Sequence, residues 1–100
     1  MPRSKPYRLH SQAWLEIEAA DSWYRQHSPD ISAEFVEEVF AAIRGIRDAP
    51  TRWPAYLFGT RRLVLDRFPF SIVYLDSSEL VNIVAVAHSK RRPGYWQRRL

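Results

Sequence analysis

The chain has no cysteine, one methionine and only three glycines in 100 residues. Without cysteine there is no disulfide, no thiol nucleophile and no cysteine-based metal site, and a reducing cytoplasm is the expected compartment. Three glycines are too few and wrongly placed for a phosphate-binding loop or a dinucleotide fingerprint, so no cofactor is expected. No apolar run approaches the roughly 20 residues of a membrane span. The basic stretch Met1-Pro2-Arg3-Ser4-Lys5-Pro6 leads into no apolar segment and does not read as a signal peptide. Three scattered histidines without carboxylates at ligand spacing suggest no metal site. There is no internal repeat and no low-complexity segment. These absences together predict a soluble cytoplasmic protein with no role at a membrane.

What is present is ordinary globular material: 46% hydrophobic and 26% charged residues, with four Trp, five Tyr and five Phe. Aromatic side chains supply large apolar area, which a small core needs. The length suits one domain over residues 1–100. The net charge of +4 is unevenly spread. Met1 to Phe58 carries seven basic and eight acidic residues, whereas Gly59 to Leu100 carries eight basic and three acidic. Beyond His88 come Lys90, Arg91, Arg92, Arg98 and Arg99 with no acid among them. Most charge runs are only solvated tails, but aromatic residues interrupt this one, and the pattern suits nucleic acid or an acidic protein surface.

Tyr7 to His10 can form a first strand, with Ser11 placed to cap a helix. From Gln12 to His27, Trp14, Ile17, Ala20 and Tyr24 recur at helical spacing, while Leu15 and Trp23 lie off that stripe and can cover a second contact. Ser28-Pro29-Asp30 is expected to end this helix. A second helix is predicted from an N-cap at Ser32 to the stop at Asp48-Ala49-Pro50, burying Phe35, Val36, Val39, Phe40, Ile43 and Ile46. The two should pack as an antiparallel hairpin. Thr51 to Thr60 reads as a loop tacked to the core by Trp53, Tyr56 and Phe58. Strands are predicted at Arg62 to Asp66, Phe70 to Leu75 and Leu80 to Ala87, the last two joined by the polar turn Asp76-Ser77-Ser78-Glu79. Pro69 should mark a strand start or a bulge. The fold class is α+β: an N-terminal strand, a helical hairpin, then a three-stranded antiparallel meander, with the helices on one sheet face. No helix remains to cover the other face, which is therefore the expected partner surface.

Three stretches, Gly59-Thr60-Arg61-Arg62, Arg67-Phe68-Pro69-Phe70-Ser71-Ile72-Val73-Tyr74 and Val84 to Trp96, stand in an order and spacing that resembles the RelE/ParE superfamily of toxins. The resemblance is closest to the ParE-like plasmid-stabilisation members and covers nearly the whole chain. It implies one strand, two helices and a three- or four-stranded antiparallel sheet. It also implies the toxin role in a type II toxin–antitoxin module, with a cognate antitoxin lying across the toxin in a hetero-oligomer. Two targets follow from it. ParE-like members inhibit DNA gyrase without known nuclease activity, and RelE-like members are ribosome-dependent mRNA endonucleases.

Cleavage of RNA by its own 2′-hydroxyl needs a base, cations for the developing phosphorus charge, and an acid for the leaving oxygen. Arg61, Arg62, Arg67, His88, Lys90, Arg91, Arg92 and Tyr95 are the candidates for contacting target or RNA, and a nuclease would draw on Arg67, His88, Arg91 and Tyr95. Many nuclease members carry an arginine where this chain has Ser71, and a His/Tyr-rich C-terminus where it has Ser89-Lys90-Arg91-Arg92-Pro93. Both departures favour gyrase. His88 is an acid/base or phosphate contact on one reading and a backbone-bonded strand-end histidine on the other. His10 and His27 are expected to be structural, and Ser11 and Ser32 to be caps rather than nucleophiles. Trp96 is expected to pack; Tyr95 can stack on a base or partner, or fold back onto the core. Arg61 and Arg62, adjacent at a strand start, must point to opposite faces. A third reading keeps the fold and its basic groove as a binding module alone; supercoiling and translation assays separate the three.

Overall fold

A single residue, Ser28, connects the two helices of the hairpin, α1 (Ser11–His27) and α2 (Pro29–Asp48). The computed structural model describes residues 4–100, so the first three residues of the basic N-terminal stretch lie outside the described residues. Pro29 holds its predecessor extended, and Ser28 sits at φ −164° and ψ 122°. That geometry lets Ser28 end one helix and cap the next: its N–H donates to the Tyr24 carbonyl at 2.8 Å, and its hydroxyl accepts from the Ile31 N–H at 3.4 Å. Pro29 fits the first turn because its missing N–H would have no partner there. The predicted caps are therefore both displaced. Ser32 is buried inside α2 and donates to the Asp21 carboxylate, and His10, not Ser11, caps α1, its Nδ1 accepting from Gln12 N–H at 3.0 Å.

α1 buries Ala13, Ile17 and Ala20, and Tyr24 packs beside them. The stripe thus begins at Ala13; Trp14 is 45% exposed and stands outside it. α2 buries Phe35, Val39, Ile43 and Ile46, with Val36 and Phe40 partly covered.

Among the described residues the sheet has four strands: β1 (Tyr7–Leu9), β2 (Arg61–Val64), β3 (Phe70–Asp76) and β4 (Val81–His88), in the order β1-β4-β3-β2. β2, β3 and β4 form the expected antiparallel meander, but β1 pairs parallel to β4, with Tyr7 opposite Val81 and Leu9 opposite Ile83. The sheet is mixed rather than antiparallel. The helical hairpin carries the chain across to the far edge, and the meander then returns β4 alongside β1 pointing the same way. In the β3–β4 turn the Ser77 N–H donates to the Leu80 carbonyl at 3.0 Å, and its hydroxyl accepts from Leu80 N–H at 3.2 Å.

Alternation along β3 sends Ile72 and Tyr74 into the helix-side core and Val73 to the other face. The register slips between Val73 and Tyr74, where Val73 faces Ala85 and Tyr74 faces Ile83; the extra residue Val84 sits in that bulge. The face opposite the helices is not bare. Val73, Val84 and Ala85 are roofed by Trp96, which is 1% exposed, with Tyr56 and Tyr95 beside it. The chain's own segment after β4 does what a third helix would have done. Phe58, at φ 58° in the short turn Leu57–Gly59, lays its edge against Trp96.

Candidate functional site

β4 runs five residues past its last pairing with β1, and most of the predicted functional residues gather where it ends. The last β1–β4 pair is Leu9 with Ile83, whereas β4 continues to His88, opposite Phe70. On the helix side of this end lies a groove of about 520 Å³. Ala19, Ala20, Trp23 and Tyr24 of α1 form one apolar wall, Phe70 and Val86 form the floor, and His88 and Tyr95 join the cations Lys90 and Arg91 in a polar rim. On the opposite face, where Ser71, Val73 and Ala87 point, lies a narrow cleft of about 80 Å³ edged by Arg62, Arg91 and Arg92. His88, Arg91 and Tyr95 line both.

The structure divides the candidate residues into two sets. Arg62 stacks its guanidinium on Tyr56, 4.1 Å from the ring centre, and edges the cleft. Arg61, its neighbour, turns the other way and donates to the Trp53 carbonyl at 2.7 Å, holding the loop after α2. Arg67 sits in the β2–β3 connection, donates to Glu34 of α2 at 2.6 Å, and lines neither cavity. The cluster that shares a surface is therefore Arg62, His88, Lys90, Arg91, Arg92 and Tyr95, without Arg61 and Arg67.

His88 is fixed at both edges of its ring. Nδ1 accepts from the Lys90 N–H at 3.0 Å, and the ring meets Phe70 edge-to-face at 5.0 Å. Nε2 is the nitrogen left to meet a ligand. Tyr95 folds back on the domain, and its hydroxyl donates to Glu16. Burial raises its pKa well above the ordinary phenol value, and the hydrogen bond and charge of Glu16 push the same way against Arg99 and Arg91. At neutral pH Tyr95 is a committed donor and no base. Arg91 lies 3.9 Å from the centre of the same ring.

Two elements of this surface escaped the sequence reading. Glu16 is one; it interrupts the apolar face of α1, three residues after Ala13 and four before Ala20, which is the one signal that could have singled it out. The other is the groove wall. Leu15, Ala19 and Trp23, four residues apart, form an exposed stripe in which Trp23 is 56% and Leu15 52% exposed. The sequence marked Leu15 and Trp23 as a second contact, but only the fold sets Trp23 beside the basic rim. Among the described residues no cluster of three histidine or acidic side chains could hold a metal ion, and no buried side-chain polar atom lacks a hydrogen-bond partner. No described helix is long and apolar enough to cross a membrane.

Comparison with known proteins gives two positive results. A family model described as "ParE toxin of type II toxin-antitoxin system, parDE" matches residues 7–93. Among solved structures, a chain from "Chromosomal ParDE TA system from P. aeruginosa" superposes with a TM-score of 0.76 at 15% identity, covering 87% of this chain and 98% of that one. No curated protein sequence matches significantly.

Proposed function

The chain belongs to the ParE toxin family of type II toxin–antitoxin systems, and from that premise we propose that it arrests growth by binding DNA gyrase in the cytoplasm through the basic surface around Arg91, and that a cognate antitoxin silences it. The observation that carries this reading is the convergence of Arg62, Lys90, Arg91, Arg92 and His88 on one end of β4, with Tyr95 pinned as a donor. Such a surface binds acidic or phosphate-bearing targets through charge and stacking without any proton transfer of its own. Two of the groups an RNA cleavage would use are unsuited to it here: Tyr95 keeps its proton, and Arg67 is paired with Glu34 away from the cluster.

The groove fits the antitoxin. Its apolar wall of Ala19, Ala20, Trp23 and Tyr24 with a rim of Lys90 and Arg91 suits an amphipathic segment that carries acids on one side. This moves the antitoxin site from the sheet face opposite the helices, which Trp96 roofs, to the seam between α1 and β4. An antitoxin seated there would also cover Arg91, so neutralisation and target exclusion share one surface.

One observation favours a second reading, the mRNA endonuclease: His88 stands beside Arg62, Arg91 and Arg92 in the narrow cleft, and among the described residues only its Nδ1 is engaged in a hydrogen bond. Purified protein added to a gyrase supercoiling reaction and to a translation reaction followed by primer extension separates the two. Loss of supercoiling with intact mRNA supports gyrase; codon-spaced cleavage with normal supercoiling supports the nuclease and overturns the first reading.

A further inference from the structure

Among the described residues, Glu16 accepts more hydrogen bonds than any other side chain near the basic surface. Its Oε1 accepts from the Val86 N–H at 3.0 Å and from Arg99 Nη1 at 3.0 Å. Its Oε2 accepts from Arg99 Nη2 at 3.0 Å and from the Tyr95 hydroxyl. Arg99 Nη1 reaches on to the Val84 carbonyl at 3.1 Å. The pair is bidentate and largely shielded, with side-chain exposures of 14% for Arg99 and 15% for Glu16.

The backbone explains why an acid stands here. Beyond the Leu9–Ile83 pair, β4 has lost its neighbour, and the Val86 N–H and Val84 carbonyl would otherwise face an unpaired edge. A carboxylate and a guanidinium take these two backbone groups and neutralise each other. Both belong to segments that must meet for the basic surface to exist: α1 carries Glu16, and the stretch after β4 carries Tyr95 and Arg99.

A second link leads from this pair to function. The phenol held by Glu16 belongs to the ring on which Arg91 lies, at 3.9 Å. We propose that Glu16 is a positioning residue for the target-binding surface: by clamping Tyr95 and Arg99 it fixes the segment after β4 and holds the Arg91 guanidinium at the junction of groove and cleft. The proposal rests on the reading that Arg91 contacts the target.

Two variants test it, each compared with Arg91→Ala. Glu16→Gln keeps the shape but removes the charge, and Tyr95→Phe removes one oxygen while keeping the ring. The readouts are the ring-current shift of the Arg91 side-chain protons by NMR and growth arrest at matched amounts of folded protein. Both variants should move the Arg91 signals towards those of free arginine and weaken arrest about tenfold, the worth of one charge-assisted hydrogen bond. A mere brace would lower the melting temperature and leave the Arg91 signals where they were; unmoved signals in folded variants overturn the proposal. Moved signals with undiminished arrest overturn it too, provided Arg91→Ala is inactive. Should Arg91→Ala arrest growth fully, the target-surface reading fails, and the NMR shift alone still decides whether Glu16 holds Arg91. If Glu16→Gln does not fold, Tyr95→Phe carries the test.

Discussion

Replacing Trp23 with alanine should weaken antitoxin binding strongly while leaving the free toxin almost as stable as before. The ring is 56% exposed on α1 and lines the groove. Among the aromatic rings of the described residues it meets His27, at 4.1 Å between ring centres, and Tyr24, at 5.2 Å. Truncation at such a site costs less than about 1 kcal/mol of folding stability. A tryptophan side chain presents about 250 Å², so a partner covering the exposed share removes roughly 140 Å² from water, worth about 3.5 kcal/mol at ~25 cal/mol per Å². Allowing for incomplete cover, the antitoxin Kd should rise roughly 30- to 100-fold. Calorimetric titration of the cognate antitoxin into each protein gives the affinity, and a thermal melt of free toxin gives the stability. An affinity within about threefold of the native value, at unchanged melting temperature, would refute the placement of the antitoxin in this groove.

Two further outcomes test the fold that carries the site. Ile72→Asp puts a charge at a position with 0% exposure in the helix-side core, a cost of several kcal/mol against a total of ~5–15; circular dichroism should show the cooperative melt lost. Burial pushes the Tyr74 phenol up to about 12, with Asp76 adding to the rise and Arg61 opposing it, and its hydroxyl donates to the Pro50 carbonyl at 2.5 Å. Because the folded state holds this proton more tightly than the unfolded chain, the stabilisation is complete below pH ~10 and drains away as pH rises towards ~12, by about 2 kcal/mol. Denaturant melts of Tyr74→Phe should show a shallower alkaline loss than the native protein; parallel curves would contradict the assignment.

The helical hairpin and the meander were legible because their apolar periods are strong: Phe35, Val39, Ile43 and Ile46 on α2, and Ile72 and Tyr74 on β3, occupy the positions their spacing requires. The caps were not, since Ser28, Ser32 and Ser11 are all competent by residue type and only the extended backbone imposed by Pro29 selects Ser28. Nor could local pattern reveal that Trp96 roofs the second sheet face. A tryptophan beyond the last strand carries no periodicity, and its burial depends on the whole sheet being in place. The same limit applied to the site. Charge asymmetry located the basic cluster along the chain, and alternation separated Arg61 from Arg62. The pairing of Arg67 with Glu34 and of Glu16 with Arg99 joins residues 33 and 83 positions apart, which no local window contains.

The most direct test of the central claim is growth arrest by the double variant Arg91→Ala, Arg92→Ala. Circular dichroism should show it folded, and pull-down should show it still captured by antitoxin, because the apolar wall of the groove is intact. Cells expressing this variant without antitoxin should grow normally, and the purified variant should leave gyrase supercoiling unimpaired. Full arrest by the folded variant would contradict the claim.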